Sequence, residues 1–355
     1  MSDDTPPTTG PVLVTGATGF VAGHVIADLL AHGRDVRATV RDPATAEVGH
    51  LREAAALAGR ELHVVAASLD DDAGWDAAAE GAAGVIHVAS PVPARRPKRL
   101  EDVTGPAVDG TRRVLAAAGR QGVRRVVMTS SIDAIRGGHD ARDGRVRGPE
   151  DWARVERAGA YAASKTLAER AAWELAAETG PELVTLQPGL ILGPTLTTRT
   201  AGSVDMVLRL LNGEFPALPH LGFAVTDVRD IAAAHRRSLD TPGAAGRRLP
   251  VVGHPLWLAE IADEVRRAAP ELAERVPRRR MPSPLVRLLA RFDASLDMAV
   301  PLLDRPVRIS SDAAEQAIGW KPRPAAETIA DTVRALVGLG LVKPNDRAGA
   351  APRGG

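Results

Sequence analysis

From residue 11 onward the chain alternates short apolar runs with longer stretches of helical spacing. Residues 12–14 (Val-Leu-Val) read as a buried strand, a glycine turn follows, and a helix is expected over 20–31. Further strands are predicted at 36–40, 62–66, 85–89, 125–129 and 183–187, with long helices at 105–118 and 160–178. This alternation predicts an α/β fold, a doubly wound parallel sheet covered by helices on both faces.

Beyond Pro194 the texture changes: Pro, Gly and Arg become frequent and apolar runs shrink to 223–225 and 249–252. Helices are expected at 204–211, 230–239, 256–268 and 325–339. Two interleaved units follow. One is a sheet domain over 11–194, to which a segment near 223–253 returns one or two strands. The other is a smaller, mainly helical substrate-binding lobe over 195–340. Residues 1–10 and 341–355 read as disordered tails.

Composition closes several routes. The 355 residues are 45% hydrophobic and 25% charged, as in ordinary globular proteins. A net charge of +1 gives no strong pull toward nucleic acid or a membrane. The basic run Arg95-Arg96-Pro97-Lys98-Arg99 is interrupted by proline and reads as a solvated loop. No apolar run approaches the roughly 18 residues of a membrane span, and residues 1–10 lack the apolar core of a signal peptide. With no cysteine there are no disulfides, thiolate nucleophiles or Cys-ligated metals, which fits a reducing compartment; a cytoplasmic location is expected. The nine histidines show no ligand-like spacing, so no metal is expected. His87, in a buried strand run, reads as a core residue, and Asp227 with Arg229 as a structural ion pair.

Thr15-Gly16-Ala17-Thr18-Gly19-Phe20-Val21-Ala22-Gly23 follows the first strand and opens the first helix. Glycines there permit a tight turn and let backbone N–H groups approach a pyrophosphate at the positive end of the helix. The spacing is Gly-x-x-Gly-x-x-Ala, and Ala22 in the third slot still allows close helix–strand packing. The placement makes 11–194 a Rossmann-type dinucleotide domain. At the end of the second strand, where NAD binders carry an acid for the ribose 2′-OH, this chain has Val40 flanked by Arg37 and Arg41. A guanidinium fork matches a 2′-phosphate, so NADP(H) is expected.

The chain has one tyrosine, Tyr161, in Tyr161-Ala-Ala-Ser164-Lys165. Residues four apart share a helix face, and an ammonium beside a phenol lowers a pKa that is otherwise about 10. Such a phenol can exchange a proton with an alcohol or carbonyl oxygen. The fifth strand ends in the hydroxyl cluster Thr129-Ser130-Ser131, at the carboxyl edge where ligands bind in such sheets.

These stretches resemble the extended short-chain dehydrogenase/reductase family within the NAD-dependent epimerase/dehydratase superfamily, over roughly residues 11–340. The resemblance rests on VTGATGFVAGHV, VIHVASP at 85–91, PAVDGTRRVLAAA at 106–118, VVMTSSIDAI at 126–135, YAASK, QPGLILGP at 187–194 and VTDVRD at 225–230. VRATVRDP at 36–43 and GWKPRP at 319–324 are most like the dihydroflavonol 4-reductase, cinnamoyl-CoA reductase and NADPH-dependent aldehyde/ketone reductase branch. The resemblance implies a catalytic triad of Ser131, Tyr161 and Lys165, with Tyr161 as general acid in carbonyl reduction and Lys165 on the nicotinamide ribose. It implies cofactor contacts from Gly16, Thr18, Gly19, Phe20 and Val21 at the diphosphate, and from Arg37 and Arg41 at the 2′-phosphate. Ser68 and Leu69 would meet the adenine; Ala89, Ser90, Thr129, Pro188 and Leu190 would border the rest of the cofactor. The implied partner is a small carbonyl or alcohol substrate, with a homodimer through helices 105–118 and 160–178 as a further expectation.

Departures from the family pattern bear on substrate. Ala107 replaces a common Asn, Gln187 replaces an Asn before Pro188, and Asp133 and Arg136 stand where small residues or a substrate-binding Asn are usual. With 3% aromatic residues, a flat polyphenol finds few stacking partners. A nucleotide-sugar epimerase or dehydratase, a steroid dehydrogenase and a non-enzymatic NADP(H)-sensing protein remain alternatives on this fold.

Overall fold

The computed structural model describes residues 10–90, 101–140, 143–200, 202–292 and 300–344. The N-terminal tail over 1–9, the basic run at 95–99 and residues 345–355 lie outside the described residues. The first half runs β1 (Val12–Val14), α1 (Phe20–Ala31), β2 (Val36–Val40), α2 (Gly49–Ala58), β3 (Leu62–Ala66), α3 (Trp75–Ala79), β4 (Gly84–His87), α4 (Glu101–Arg120), β5 (Arg125–Thr129), α5 (Asp133–Arg136), α6 (Ala160–Thr179) and β6 (Glu182–Pro188). With β10 (Arg248–Val251) the strands form one seven-stranded parallel sheet, ordered β10-β6-β5-β4-β1-β2-β3. The order reverses beside β1, which lies between β2 and β4, and the crevice above that point is where a dinucleotide binds in this architecture.

Side-chain alternation distributes the core. Val12 and Val14 face a layer built from α1, α2 and α8 (Val228–Asp240), whereas Leu13 faces α3, α4 and α6. Nearly every residue of β1, β4 and β5 is buried, as a sheet covered on both faces requires. Each fully buried Leu, Ile or Val contributes roughly 1.5–3 kcal/mol.

The second half departs from the sheet at one glycine. A Cβ on Gly189 would lie 2.3 Å from the Ala224 carbonyl oxygen, so only glycine lets the chain leave β6 and turn straight into β7 (Leu190–Leu192). There it pairs with β9 (Gly222–Asp227), which follows the two-residue β8 (Leu218–Pro219) and pairs in turn with β11 (His254–Trp257). Of the two stretches expected to return to the main sheet, only β10 does; residues 223–225 belong to this separate three-stranded sheet. Its core is closed by α7 (Ser203–Leu211), α9 (Leu258–Ala268) and the helix Ala325–Gly338. Asp227 and Arg229 form the expected pair, at 2.7 and 2.9 Å, and Arg229 also bridges to Asp331 of that last helix. Residues 341–344 are held against the lobe rather than forming part of a tail: the Lys343 N–H donates to Asn212 and its ammonium pairs with Glu214.

Candidate active site

The glycine turn is fixed from both neighbouring strands. Gly16 has φ +78°, and a Cβ there would come within 3.0 Å of the Ala89 Cβ, so the turn lies directly on the end of β4. The Gly16 and Ala17 N–H groups donate to Thr39 of β2, and the Gly19 N–H closes the turn on the Gly16 carbonyl. Thr15, at the head of the motif but given no role by its spacing, joins the other side. Its hydroxyl accepts from the Val88 and Ala89 N–H groups and bonds the His87 ring at 2.9 Å. Burial pushes His87 down to about 3, with the Lys165 charge acting in the same direction, so the ring is neutral. Phe20 and Val21 open α1, and Thr18 and Gly19 are exposed above them. The cleft at this helix start is walled on its far side by His50, Thr195–Thr197 and Arg199. A tight turn with glycine at both ends, at the positive end of a twelve-residue helix and facing an arginine, fits a dinucleotide diphosphate.

The two arginines separate. Arg41 is exposed one residue past the carboxyl end of β2, on the cofactor side of the sheet. Arg37 lies near the opposite end of the strand, and its guanidinium donates to the carbonyls of Ala78 and Glu80 at 2.9 and 2.6 Å. It caps the C-terminus of α3, where carbonyls lack helical partners, and does not reach a 2′-phosphate site. Ser68 and Leu69 serve the same region: Trp75 donates to the Ser68 carbonyl, and Leu69 packs where a Cβ on Gly110 would intrude at 2.8 Å.

At the end of β5 successive side chains point in different directions. Thr129 faces α8, where its hydroxyl bonds His235 at 2.7 Å, so that hydroxyl is turned away from the cleft. Ser130 faces α6 and donates to Glu169 at 2.5 Å. Ser131 begins the turn into α5, its Oγ accepting from the Asp133 N–H at 3.1 Å. Pro188 ends β6 alongside, accepting from the Ile132 N–H, and Leu190 opens β7.

At this edge Ser131 hydrogen-bonds Tyr161, and Lys165 lies one turn beyond Tyr161 on α6. Burial first, then the Asp133 carboxylate, push the Tyr161 phenol up to about 12, while a hydrogen bond from Ser131 acts in the opposite direction. Tyr161 is 53% exposed, so solvent softens the burial effect, and Asp133 is the charge this chain adds beside the phenol. Burial pushes the Lys165 ammonium down to about 8, against the opposing pull of Glu169. Burial and Asp133 both act against the lowering expected from Lys165 and favour the protonated tyrosine. Asp133 is paired with Arg136 at 2.7 Å.

The NAD dependent epimerase/dehydratase family model matches residues 12–251. Cinnamoyl-CoA reductase 1 of Oryza sativa subsp. japonica is 38% identical over 263 residues, covering 73% of this chain and 76% of that one. Tetraketide alpha-pyrone reductase 2 of Arabidopsis thaliana is 34% identical over 66% of this chain and 75% of its own length. Among solved structures, yeast methylglyoxal/isovaleraldehyde reductase complexed with NADPH superposes with a TM-score of 0.73 at 26% identity, covering 93% of this chain and all of that one. The glycine turn, sheet order and strand-end hydroxyls thus fall within a matched span of more than half the sequence, and the chain belongs to the NAD dependent epimerase/dehydratase family.

Proposed function

We propose that this protein is an NADPH-dependent reductase that converts an aldehyde or ketone to an alcohol, reversibly. The observation that carries the proposal is the hydrogen bond between Ser131, just past the carboxyl end of β5, and Tyr161, with Lys165 one helical turn further along α6. The named reductases among the relatives and the NADPH bound in the yeast structure support the cofactor and the reaction class.

The turn over Gly16–Val21 would hold the diphosphate, with Arg199 across the cleft and Arg41 at the 2′-phosphate. When bound, the nicotinamide supplies a hydride to the carbonyl carbon. Tyr161, held protonated at neutral pH, gives its phenolic proton to the carbonyl oxygen as the new C–H bond forms. Ser131 donates a hydrogen bond to the same oxygen as negative charge develops there. Lys165 offers its ammonium beside the phenolate left behind, which regains a proton from solvent. The Asp133–Arg136 pair next to Ser131 places charge where a planar polyphenol would need an apolar wall, which favours smaller carbonyls.

NADPH oxidation measured against aldehydes, α-ketoesters, diketones and aryl ketones, with NADH as control, tests the proposal. Turnover with at least one carbonyl class and preference for NADPH are expected. A protein that holds NAD+ tightly and is inert toward every carbonyl with NADPH would instead be an epimerase or dehydratase.

A further inference from the structure

Glu169 lies one helical turn beyond Lys165 on α6 and is 0% exposed. A buried carboxylate is unfavourable unless it is paired and fully hydrogen-bonded, and this one is served from three strands. Its Oε1 accepts from the Thr185 hydroxyl, the Gln187 amide and Arg248 Nε, each at 2.7 Å. Its Oε2 accepts from Ser130 at 2.5 Å and from the second arm of Arg248 at 3.4 Å. The Arg248 guanidinium can only donate, and it brings a positive charge directly against the carboxyl group. Arg248 is fixed in turn by the Pro149 and Asp151 carbonyls and by the Trp152 ring, 3.7 Å from its guanidinium carbon.

Lys165, by contrast, is buried without a carboxylate within ion-pair distance among the described residues. The charged and titratable groups around it are Tyr161 and Glu169 on its own helix and His87 from β4, with Asp133 of α5 acting on the phenol and Arg248 of β10 on Glu169. His87 is neutral, so Glu169 is the negative charge that favours the ammonium.

We propose that Glu169 is a positioning residue. It supplies the counter-charge that keeps Lys165 an ammonium beside Tyr161, and through Ser130 it fixes the strand end from which Ser131 faces the phenol. The inference deepens the reductase reading and rests on it for its catalytic meaning, but its electrostatic content is measurable without a substrate.

The chain's lysines are Lys98, Lys165, Lys321 and Lys343. Carbon-13 lysine labelling of the full chain therefore resolves the Lys165 titration, assigned by its disappearance in Lys165→Met. Because Glu169→Gln leaves Arg248 buried and unpaired, the double variant Glu169→Gln/Arg248→Met is measured beside it. The expected result is a folded double variant whose Lys165 midpoint lies about one unit or more below that of Arg248→Met, which lacks the same arginine charge, with the alkaline limb of carbonyl reduction displaced in the same direction. A folded double variant with the same Lys165 midpoint as Arg248→Met overturns the proposal. A displaced midpoint in a protein that reduces no carbonyl upholds the charge pairing and overturns the reductase reading.

Discussion

Arg37 and Arg41 are four residues apart, yet they serve different parts of the molecule. Arg37 caps the C-terminus of α3 through the Ala78 and Glu80 carbonyls, while Arg41 stands past the carboxyl end of β2 at the cofactor edge. Arg41→Ala should therefore raise KM for NADPH roughly tenfold or more and leave the KM for NADH nearly unchanged, since only the former presents a 2′-phosphate. Arg37→Ala should leave this preference intact and cost about 1–2 kcal/mol of stability, read by denaturant unfolding. If Arg37→Ala alone erases the preference for NADPH, the placement of the two is wrong.

Tyr161 is the chain's only tyrosine, so phenol absorbance titrates this residue alone. Its midpoint should lie above the ordinary value of about 10, toward the value of about 12 that its surroundings set. Asp133→Asn, by removing the adjacent carboxylate, should bring it down. The folded state binds the proton more tightly than the unfolded chain, so this group's contribution to stability is lost as pH rises from 10 to 12.

Lys165 has the opposite sign. Its folded value of about 8 lies below the unfolded 10.5, so between those limits the unfolded chain binds more protons and stability rises with pH. Activity should run the other way, with kcat/KM for reduction falling as pH rises through about 8 and the ammonium is lost. A pH–rate profile flat to pH 10 would remove Lys165 from the reaction.

Thr15 joins the glycine turn to β4 through one hydroxyl that serves His87, Val88 and Ala89. Thr15→Val keeps the shape and leaves two N–H groups without that partner, which should cost about 1–3 kcal/mol. NADPH binding, followed by fluorescence, should weaken with it, because the turn and the strand end would no longer share an anchor.

Much of this arrangement is legible in the sequence, for local reasons. The strand at 36–40 and the helix at 20–31 match the structure residue for residue, and the Gly16 turn lies where its spacing places it. The helix expected to open at 105 begins a turn earlier, at Glu101, because Pro106 lies inside its first turns rather than at its start. What a linear reading misses is contact across the fold. Nothing near Glu169 in sequence announces Arg248, 79 positions away, although its i+4 spacing from Lys165 was visible. Arg37 misleads because residue type suggests phosphate, whereas strand position, at the amino half of β2, assigns it to α3. Likewise the Tyr-x-x-x-Lys spacing does not reveal that burial and Asp133, arriving from α5, would both push the phenol up.

The central assignment is that Tyr161 donates the proton in carbonyl reduction. Single-turnover NADPH oxidation by Tyr161→Phe, with the best carbonyl found for the unmodified protein, tests it most directly. NADPH affinity within about twofold of the unmodified protein and a rate lowered about 100-fold or more are expected. An unchanged rate would contradict the assignment.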